Sequence, residues 1–103
     1  MKKFNYFTYC KKDGKELCVA QSGYLYIDKN GNNYGVCCVK RDWKVTELKT
    51  GLLVNIGTLK KDEIQNYIDS KADTITKLLE QPYYKRIIDK FSVMIEEFEK
   101  EKK

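Results

Sequence analysis

Histidine is absent from this 103-residue chain, and proline occurs only once. Histidine is the side chain whose ordinary pKa best suits acid and base catalysis near neutral pH, and it is the usual activator of a cysteine nucleophile. The glycine-rich loops that bind phosphates and dinucleotides are missing as well. The paired carboxylates, Asp62-Glu63 and Glu96-Glu97, lie in lysine-containing helical segments and fit a solvated helix surface. We therefore expect no enzymatic activity and no cofactor.

Long apolar runs are also missing. No stretch of about 18 apolar residues occurs, so the sequence predicts no membrane-spanning helix. The basic start Met1-Lys2-Lys3 is followed by a segment, 4–10, that Asn5 and Thr8 interrupt, and Lys11-Lys12 come directly after it. This pattern lacks the apolar centre of a signal peptide. The sequence predicts a cytoplasmic protein of a bacterial cell, with no membrane partner.

The placement of the cysteines bears on metal binding. The four cysteines are Cys10, Cys18, Cys37 and Cys38. Cys37 and Cys38 are adjacent on a predicted strand and would point to opposite faces, whereas structural zinc sites usually use two cysteines separated by two residues. A two-residue turn at Asp13-Gly14 sets Cys10 opposite Leu17 and Cys18 opposite Tyr9, which also separates these thiols. A reducing cytosol disfavours disulfides. Zinc and disulfides remain the less favoured alternatives to buried or half-buried free thiols without a metal.

Turn signals divide the first half of the chain into hairpins. Asp13-Gly14, Asn30-Gly31 and Thr50-Gly51 each lie between short runs rich in β-branched, aromatic and leucine residues. The predicted strand pairs are 4–11 with 16–21, 24–28 with 34–39, and 43–48 with 52–56. Ser22-Gly23 allows a bulge or corner, and Lys40-Arg41-Asp42 supplies a further reversal. The polar stretch 29–33 leaves a longer second loop as an alternative to a tight turn.

The third hairpin predicts which side of the sheet is buried. A two-residue turn at Thr50-Gly51 would set Val45 opposite Ile56 and Glu47 opposite Val54. The residues that then share the predicted core face are Trp43, Val45, Leu52, Val54 and Ile56.

The second half contains no glycine after Gly57, and its apolar residues recur every three or four positions. Thr58 is the predicted N-cap, and Asp62 and Glu63 suit the positive end of a helix. Pro82 ends this helix and opens the next at its first turn. The first stripe is Ile64, Tyr67, Ile68, Ala72, Ile75, Leu78 and Leu79; the second is Tyr84, Ile87, Ile88, Phe91, Met94 or Ile95, and Phe98. The polar tail 99–103 is expected to fray.

These patterns predict one α+β domain spanning residues 1–103. An antiparallel β-meander of about five or six strands in 1–57 is followed by two amphipathic helices in 58–103, packed on one face of the sheet. A helical hairpin used partly for dimerisation is the alternative, so the sequence allows a monomer or a homodimer through the helices.

The net charge of +5 belongs to the sheet half. Residues 1–50 hold ten Lys or Arg against five Asp or Glu, whereas residues 51–103 hold ten of each. A basic sheet predicts an acidic partner, either a protein or ribonucleoprotein surface or the backbone of a nucleic acid. A solubility charge of ordinary size for a small domain is the alternative interpretation.

Aromatic residues alternate with Lys and Asn in the sheet half. They are Tyr6, Phe7, Tyr9, Tyr24, Tyr26 and Tyr34. Because Tyr6 and Phe7 are neighbours, a regular strand cannot bury both, so we expect aromatic surface on the outside. Such tyrosines suit a protein interface or the stacking of unpaired bases, although tyrosine is also a common strand residue. Arg41, Trp43 and Tyr26 are the predicted interface anchors, and the predicted phosphate contacts are Lys11, Lys12, Lys40, Arg41 and Lys44.

The composition and one segment carry a resemblance. A small histidine-free chain rich in Lys, Asn, Tyr and Ile looks like the accessory proteins of phages and mobile elements in low-GC bacteria. The run Leu52-Leu53-Val54-Asn55-Ile56, followed by Thr58-Leu59 and the helix over 62–79, resembles the strand-then-helix segment of anti-CRISPR inhibitors of type II systems. The resemblance implies a non-enzymatic inhibitor that forms a stoichiometric complex with a protein or ribonucleoprotein. A nucleic-acid-binding module is the alternative.

Overall fold

A computed structural model describes residues 2–55 and 57–101 of the chain. The strands are β1 (Phe4–Lys12), β2 (Lys15–Ile27), β3 (Asn33–Val39) and β4 (Asp42–Glu47), and they form one antiparallel sheet in the order β1-β2-β3-β4. A single 3₁₀ turn, Lys61–Glu63, leads into α1 (Ile64–Glu80), and α2 (Pro82–Glu101) follows. The α+β class and the meander are confirmed. The described residues form four strands, so the prediction of five or six is wrong.

The first difference from the predicted strands lies within β2, where the expected break at Ser22-Gly23 is absent. The predicted strands 16–21 and 24–28 form a single strand that changes partner after Gly23, from β1 to β3. A Cβ atom at position 23 would lie 2.2 Å from the carbonyl oxygen of Val36, so only glycine allows this approach of the two backbones. The corner expected at Ser22-Gly23 is thus a change of pairing partner along a continuous strand.

The described part of the predicted sixth strand, 52–55, is an irregular segment along the outer edge of β4. Its one bridge joins Leu53 to Thr46, which shifts the register by two positions from the predicted pairing. The turn is wider than two residues, because the amide of Gly51 donates to the carbonyl of Glu47. The Glu47 carboxylate holds this turn by accepting from the amides of Lys49 and Thr50 and from the Thr50 hydroxyl, at 2.8–2.9 Å. Ile56, and with it the predicted pairing with Val45, lies outside the described residues.

The start of the first helix also differs from the prediction. Thr58 precedes the helical turn by three residues, and the N-cap position is Lys60. The Glu63 carboxylate accepts from the Lys60 amide at 3.1 Å, which satisfies one of the early amides. Pro82 opens α2 as predicted, and this helix continues to Glu101 through most of the tail that was expected to fray. None of the described helices combines the length and the apolar character needed to cross a bilayer.

Both helices contact side chains of the same sheet face. Under α1 the core consists of Tyr34, Val36, Val45, Leu59, Ile64 and Ile68. Under α2, the Phe7 ring lies 5.2 Å from the Phe98 ring, and the Cys18 thiol donates to the carbonyl of Met94 at 3.5 Å. Along β2 these contacts involve the even-numbered residues, which point to one side because side chains alternate along a strand. We call this side the covered face and the other side the open face.

Candidate functional site

The open face carries most of the large apolar side chains that are exposed in the described chain. There are eight of these side chains, and five of them point to this side: Leu17, Val19, Leu25, Ile27 and Val39. Between 41% and 50% of each of the five is accessible to solvent. The first four are the odd-numbered residues of β2, so alternation along one long strand places them in a row. No described helix packs on this row.

A buried tyrosine lies in the middle of the open face. Tyr6 is only 5% exposed, and its ring lies over Gly35 of β3. A Cβ atom at position 35 would be 2.5 Å from the ring, so glycine makes the trough in which the ring sits. Burial, followed by the neighbouring Cys37 thiol, raises the pKa of Tyr6. The Phe4 ring packs against the Tyr6 ring, with centroids 5.2 Å apart. Because Tyr6 belongs to β1 and Gly35 belongs to β3, the contact between them crosses β2.

The exposed surface of the sheet half is more basic than its sequence indicates. Of its five carboxylates, Asp28 and Glu47 are buried, Glu16 forms an ion pair with Lys90, and Asp42 forms one with Lys44. Of these five carboxylates, only Asp13 is exposed and forms no ion pair with the described residues. The exposed cations of this half that form no ion pair among the described residues are Lys2, Lys3, Lys11, Lys12, Lys15, Lys40, Arg41 and Lys49. Unpaired positive charge therefore lies at the edges of the sheet: before β1, beside the β1–β2 turn, in the β3–β4 turn and after β4.

The predicted site residues fall into two groups. Lys40 and Arg41 form the exposed β3–β4 turn, where both have positive φ angles, 51° and 69°, although neither is a glycine. Lys44 lies in the adjoining strand, with its ammonium nitrogen 2.8 Å from the Asp42 carboxylate. That ion pair and the Leu59 amide lower the pKa of Asp42. Lys11 and Lys12 lie instead at the end of β1, opposite Glu16 and Lys15, so they do not join the turn group.

The predicted aromatic anchors lie on the covered face. Tyr26 and Trp43 are half-buried and pack against the core under α1. The Trp43 ring lies 6.4 Å from the Tyr24 ring, and the Lys61 ammonium is 5.9 Å from the centre of the Trp43 ring. Tyr34 is fully buried. The outward aromatic surface expected from the sequence is therefore largely turned inward, because the helices cover one side of the sheet and the glycine trough takes Tyr6 on the other.

Sequence reasoning missed the aliphatic row of the open face. The signal was present, since Leu17, Val19, Leu25 and Ile27 share one parity in β2. Reading 16–21 and 24–28 as separate strands hid this continuity.

The four cysteines are free, and the first hairpin separates Cys10 and Cys18 as predicted. Cys18 and Cys37 are half-buried, whereas Cys10 and Cys38 are exposed, which differs from the expectation for these two. Within the described ranges, no group of three or more Cys, Asp or Glu side chains is arranged to hold a metal ion.

Comparison with protein-family models, with curated proteins and with solved structures gives no match for this chain. Within residues 52–79, the described part of the predicted strand, 52–55, is irregular, while the predicted helical part forms α1. The open face and the charge at the edges of the sheet are therefore the features from which a function can be argued.

Proposed function

We propose that this chain is a non-enzymatic binding protein that docks its open face on an acidic surface of a protein or ribonucleoprotein. The observation that carries the proposal is the set of five exposed aliphatic side chains, four of them along β2, on a sheet face that no described helix covers. Exposed apolar side chains gathered on one face of a small protein are typical of an interaction site, because each buried Å² contributes roughly 25 cal/mol.

The charge at the edges of the sheet supports an acidic partner. Lys12 and Lys15 face each other beside the β1–β2 turn, and Lys40 and Arg41 project from the β3–β4 turn. Apart from the exposed Asp13, the carboxylates of the sheet half are buried or paired, so these cations are available to attract a negatively charged surface. Such complementarity mainly raises the association rate and selects the partner.

The biological role that we propose for this docking is inhibition of a bacterial defence complex, in the manner of phage or mobile-element accessory proteins. An inhibitor of this kind acts in the cytoplasm of the bacterial cell and forms a stoichiometric complex. The likeness of residues 52–79 to anti-CRISPR inhibitors supports this role, and the open face supplies the surface for it.

A capture experiment with matched variants tests the docking proposal. The immobilised chain is incubated with a bacterial lysate, and bound proteins are compared for wild type, Leu25→Ser/Ile27→Ser and Val93→Ser. We expect the double variant to lose a stoichiometric partner that wild type retains, because it removes two of the four side chains of the apolar row. Val93 is 51% exposed but lies on α2, so its variant should retain the partner. Equal capture by all three proteins would rule out docking through the open face.

Nucleic-acid binding is the second candidate, and one cluster favours it. The Lys3 ammonium nitrogen is 6.0 Å from the centre of the Tyr24 ring, and the Lys61 ammonium nitrogen is 5.9 Å from the centre of the Trp43 ring. Trp43 lies next to the basic β3–β4 turn. Cations beside partly exposed aromatic rings suit a single strand. A mobility-shift titration with single-stranded and duplex probes at two salt concentrations tests this, because phosphate contacts weaken steeply with salt. Absence of a shift at low salt excludes this candidate.

A further inference from the structure

A cleft lies on the covered face, between the β1–β2 hairpin and α2. Its volume is about 410 Å³, within the roughly 300–1,000 Å³ range of small-molecule sites. Leu52, Phe91 and Met94 supply apolar walls. A cleft of this size between two packed elements is a candidate binding site.

One wall of the cleft is polar and internally satisfied. The Glu16 carboxylate accepts from the Tyr9 hydroxyl at 3.0 Å and forms an ion pair with Lys90. The Lys90 and Tyr9 hydrogen bonds lower the pKa of Glu16, and the bond to Glu16 raises the pKa of Lys90. Glu16 and Lys90 therefore neutralise each other, and neither supplies a free charge to a ligand.

The remaining charge in the cleft belongs to Arg86. This residue lines the cleft from α2 and is exposed, and it makes no ion pair within the described part of the chain. Because Glu16 is the only carboxylate of the lining and is already paired, the cleft carries one unmatched positive charge. A guanidinium offers a planar, two-pronged donor that matches a carboxylate.

The lining also indicates what kind of group the ligand carries besides its carboxylate. Four of its ten residues are aromatic: Tyr9, Tyr83, Tyr84 and Phe91. The Tyr83 and Tyr84 rings meet nearly edge to face, with centroids 5.5 Å apart. Aromatic walls favour offset or edge-to-face contact with another ring.

We infer that the cleft between the β1–β2 hairpin and α2 binds a small aromatic carboxylate, with its ring against the aromatic and apolar walls and its carboxylate at Arg86. This site lies on the opposite side of the sheet from the open face and is separate from the proposed docking function.

The test is a titration of the full chain with indole-3-acetate, followed by two-dimensional ¹H–¹⁵N NMR. We expect saturable shifts in α2 residues that line the cleft, such as Tyr84 and Phe91. Indole-3-acetamide has the same ring without the charge, and it should bind about tenfold more weakly because the charge-assisted contact is lost. Octanoate has the charge without the ring and should also bind more weakly.

Arg86→Gln should weaken indole-3-acetate binding about tenfold and leave indole-3-acetamide binding unchanged. The matched control is Lys85→Gln, which removes a charge from the neighbouring exposed position that does not line the cleft. The inference is overturned if the acetate and the amide bind equally, if octanoate binds as tightly, or if both variants have the same effect. It is also overturned if no saturation occurs below about 10 mM, or if the shifts map to Leu25 and Ile27. Docking through the open face is tested separately, by the capture experiment.

Discussion

At the scale of single residues, Asp28 organises the loop between β2 and β3. Its carboxylate accepts from the amides of Asn30 and Asn32, from the Asn32 side chain and from the Tyr34 hydroxyl, at 2.7–3.0 Å. Burial alone would raise the pKa of Asp28, but these hydrogen bonds outweigh it, and the pKa lies below its ordinary value of 3.8. The ionised form is therefore the one that stabilises the loop.

The lowered pKa of Asp28 predicts a pH-dependent contribution to stability. Its contribution is fully present above the unfolded-state pKa, near 3.8, and is lost as the pH falls through the lower folded-state value. Asp28→Asn places an amide donor where an oxygen accepted from Asn32 and Tyr34, so we expect a loss of about 1–3 kcal/mol at pH 7. Urea unfolding of wild type and variant between pH 7 and pH 2.5 measures this.

The difference between the two proteins should shrink below pH 4. Asp13→Asn serves as the control, because Asp13 is exposed at the β1–β2 turn and its replacement should leave stability within about 0.5 kcal/mol. A constant wild-type advantage down to pH 2.5 would contradict the role given to Asp28.

At the scale of elements, the Asn55 side chain makes hydrogen bonds to the edge of β4 that a neighbouring strand would otherwise make. The Asn55 carboxamide accepts from the Val45 amide at 2.7 Å and donates to the Trp43 carbonyl at 3.0 Å. The Trp43 amide in turn donates to the carbonyl of Leu59 at 3.2 Å. The outer edge of β4 is thus satisfied without a regular strand, which protects it from pairing with another chain.

Asn55→Ala is expected to destabilise the fold by about 1–3 kcal/mol, because it leaves the buried Val45 amide without its acceptor. Thermal or urea unfolding measures the change. Asn66→Ala is the matched control, since Asn66 is exposed on α1 and alanine favours a helix there. If both variants unfold alike, the carboxamide does not hold the edge of β4.

At the scale of the whole molecule, the two faces of the sheet differ in what their apolar residues do. On the covered face, Ile64 and Ile68 of α1 are fully buried with Val36 and Val45. No residue of the two helical stripes predicted from the sequence is fully exposed, with the members of each stripe buried or half-buried in the chain. Homodimerisation through the helices remains a prediction, and the open face offers the larger exposed apolar surface.

This contrast predicts opposite outcomes for similar substitutions. Ile68→Ala should cost about 2–5 kcal/mol, because it removes methyl groups from a packed core. Ile27→Thr should change stability by less than about 1 kcal/mol, because Ile27 is 50% exposed and threonine also favours strands. Unfolding curves measure both. Comparable losses would mean that the open face is covered in solution, and sedimentation of wild type at several concentrations would then show whether a second copy covers it.

The sequence by itself determined the features that depend on local chemistry. Asp13 and Gly14 both adopt positive φ, as a tight hairpin turn requires, and this turn fixes the register that sets Cys10 opposite Leu17. The recurrence of apolar residues every three or four positions predicted the two helices, and Pro82 predicted the start of α2. The excess of positive charge in the sheet half also follows from counting residues.

Only the tertiary structure decided which surfaces are free. Period-two alternation identifies two faces of a strand but does not by itself say which one the helices cover, so Tyr26, a predicted anchor, turned out to be half-buried against the core. The glycine trough for Tyr6 joins strands that are distant along the chain, and the Asn55 bonds replace a strand through long-range contacts. Burial and pairing of carboxylates are likewise decided in three dimensions, because a charge is available to a partner only when no neighbour has already neutralised it.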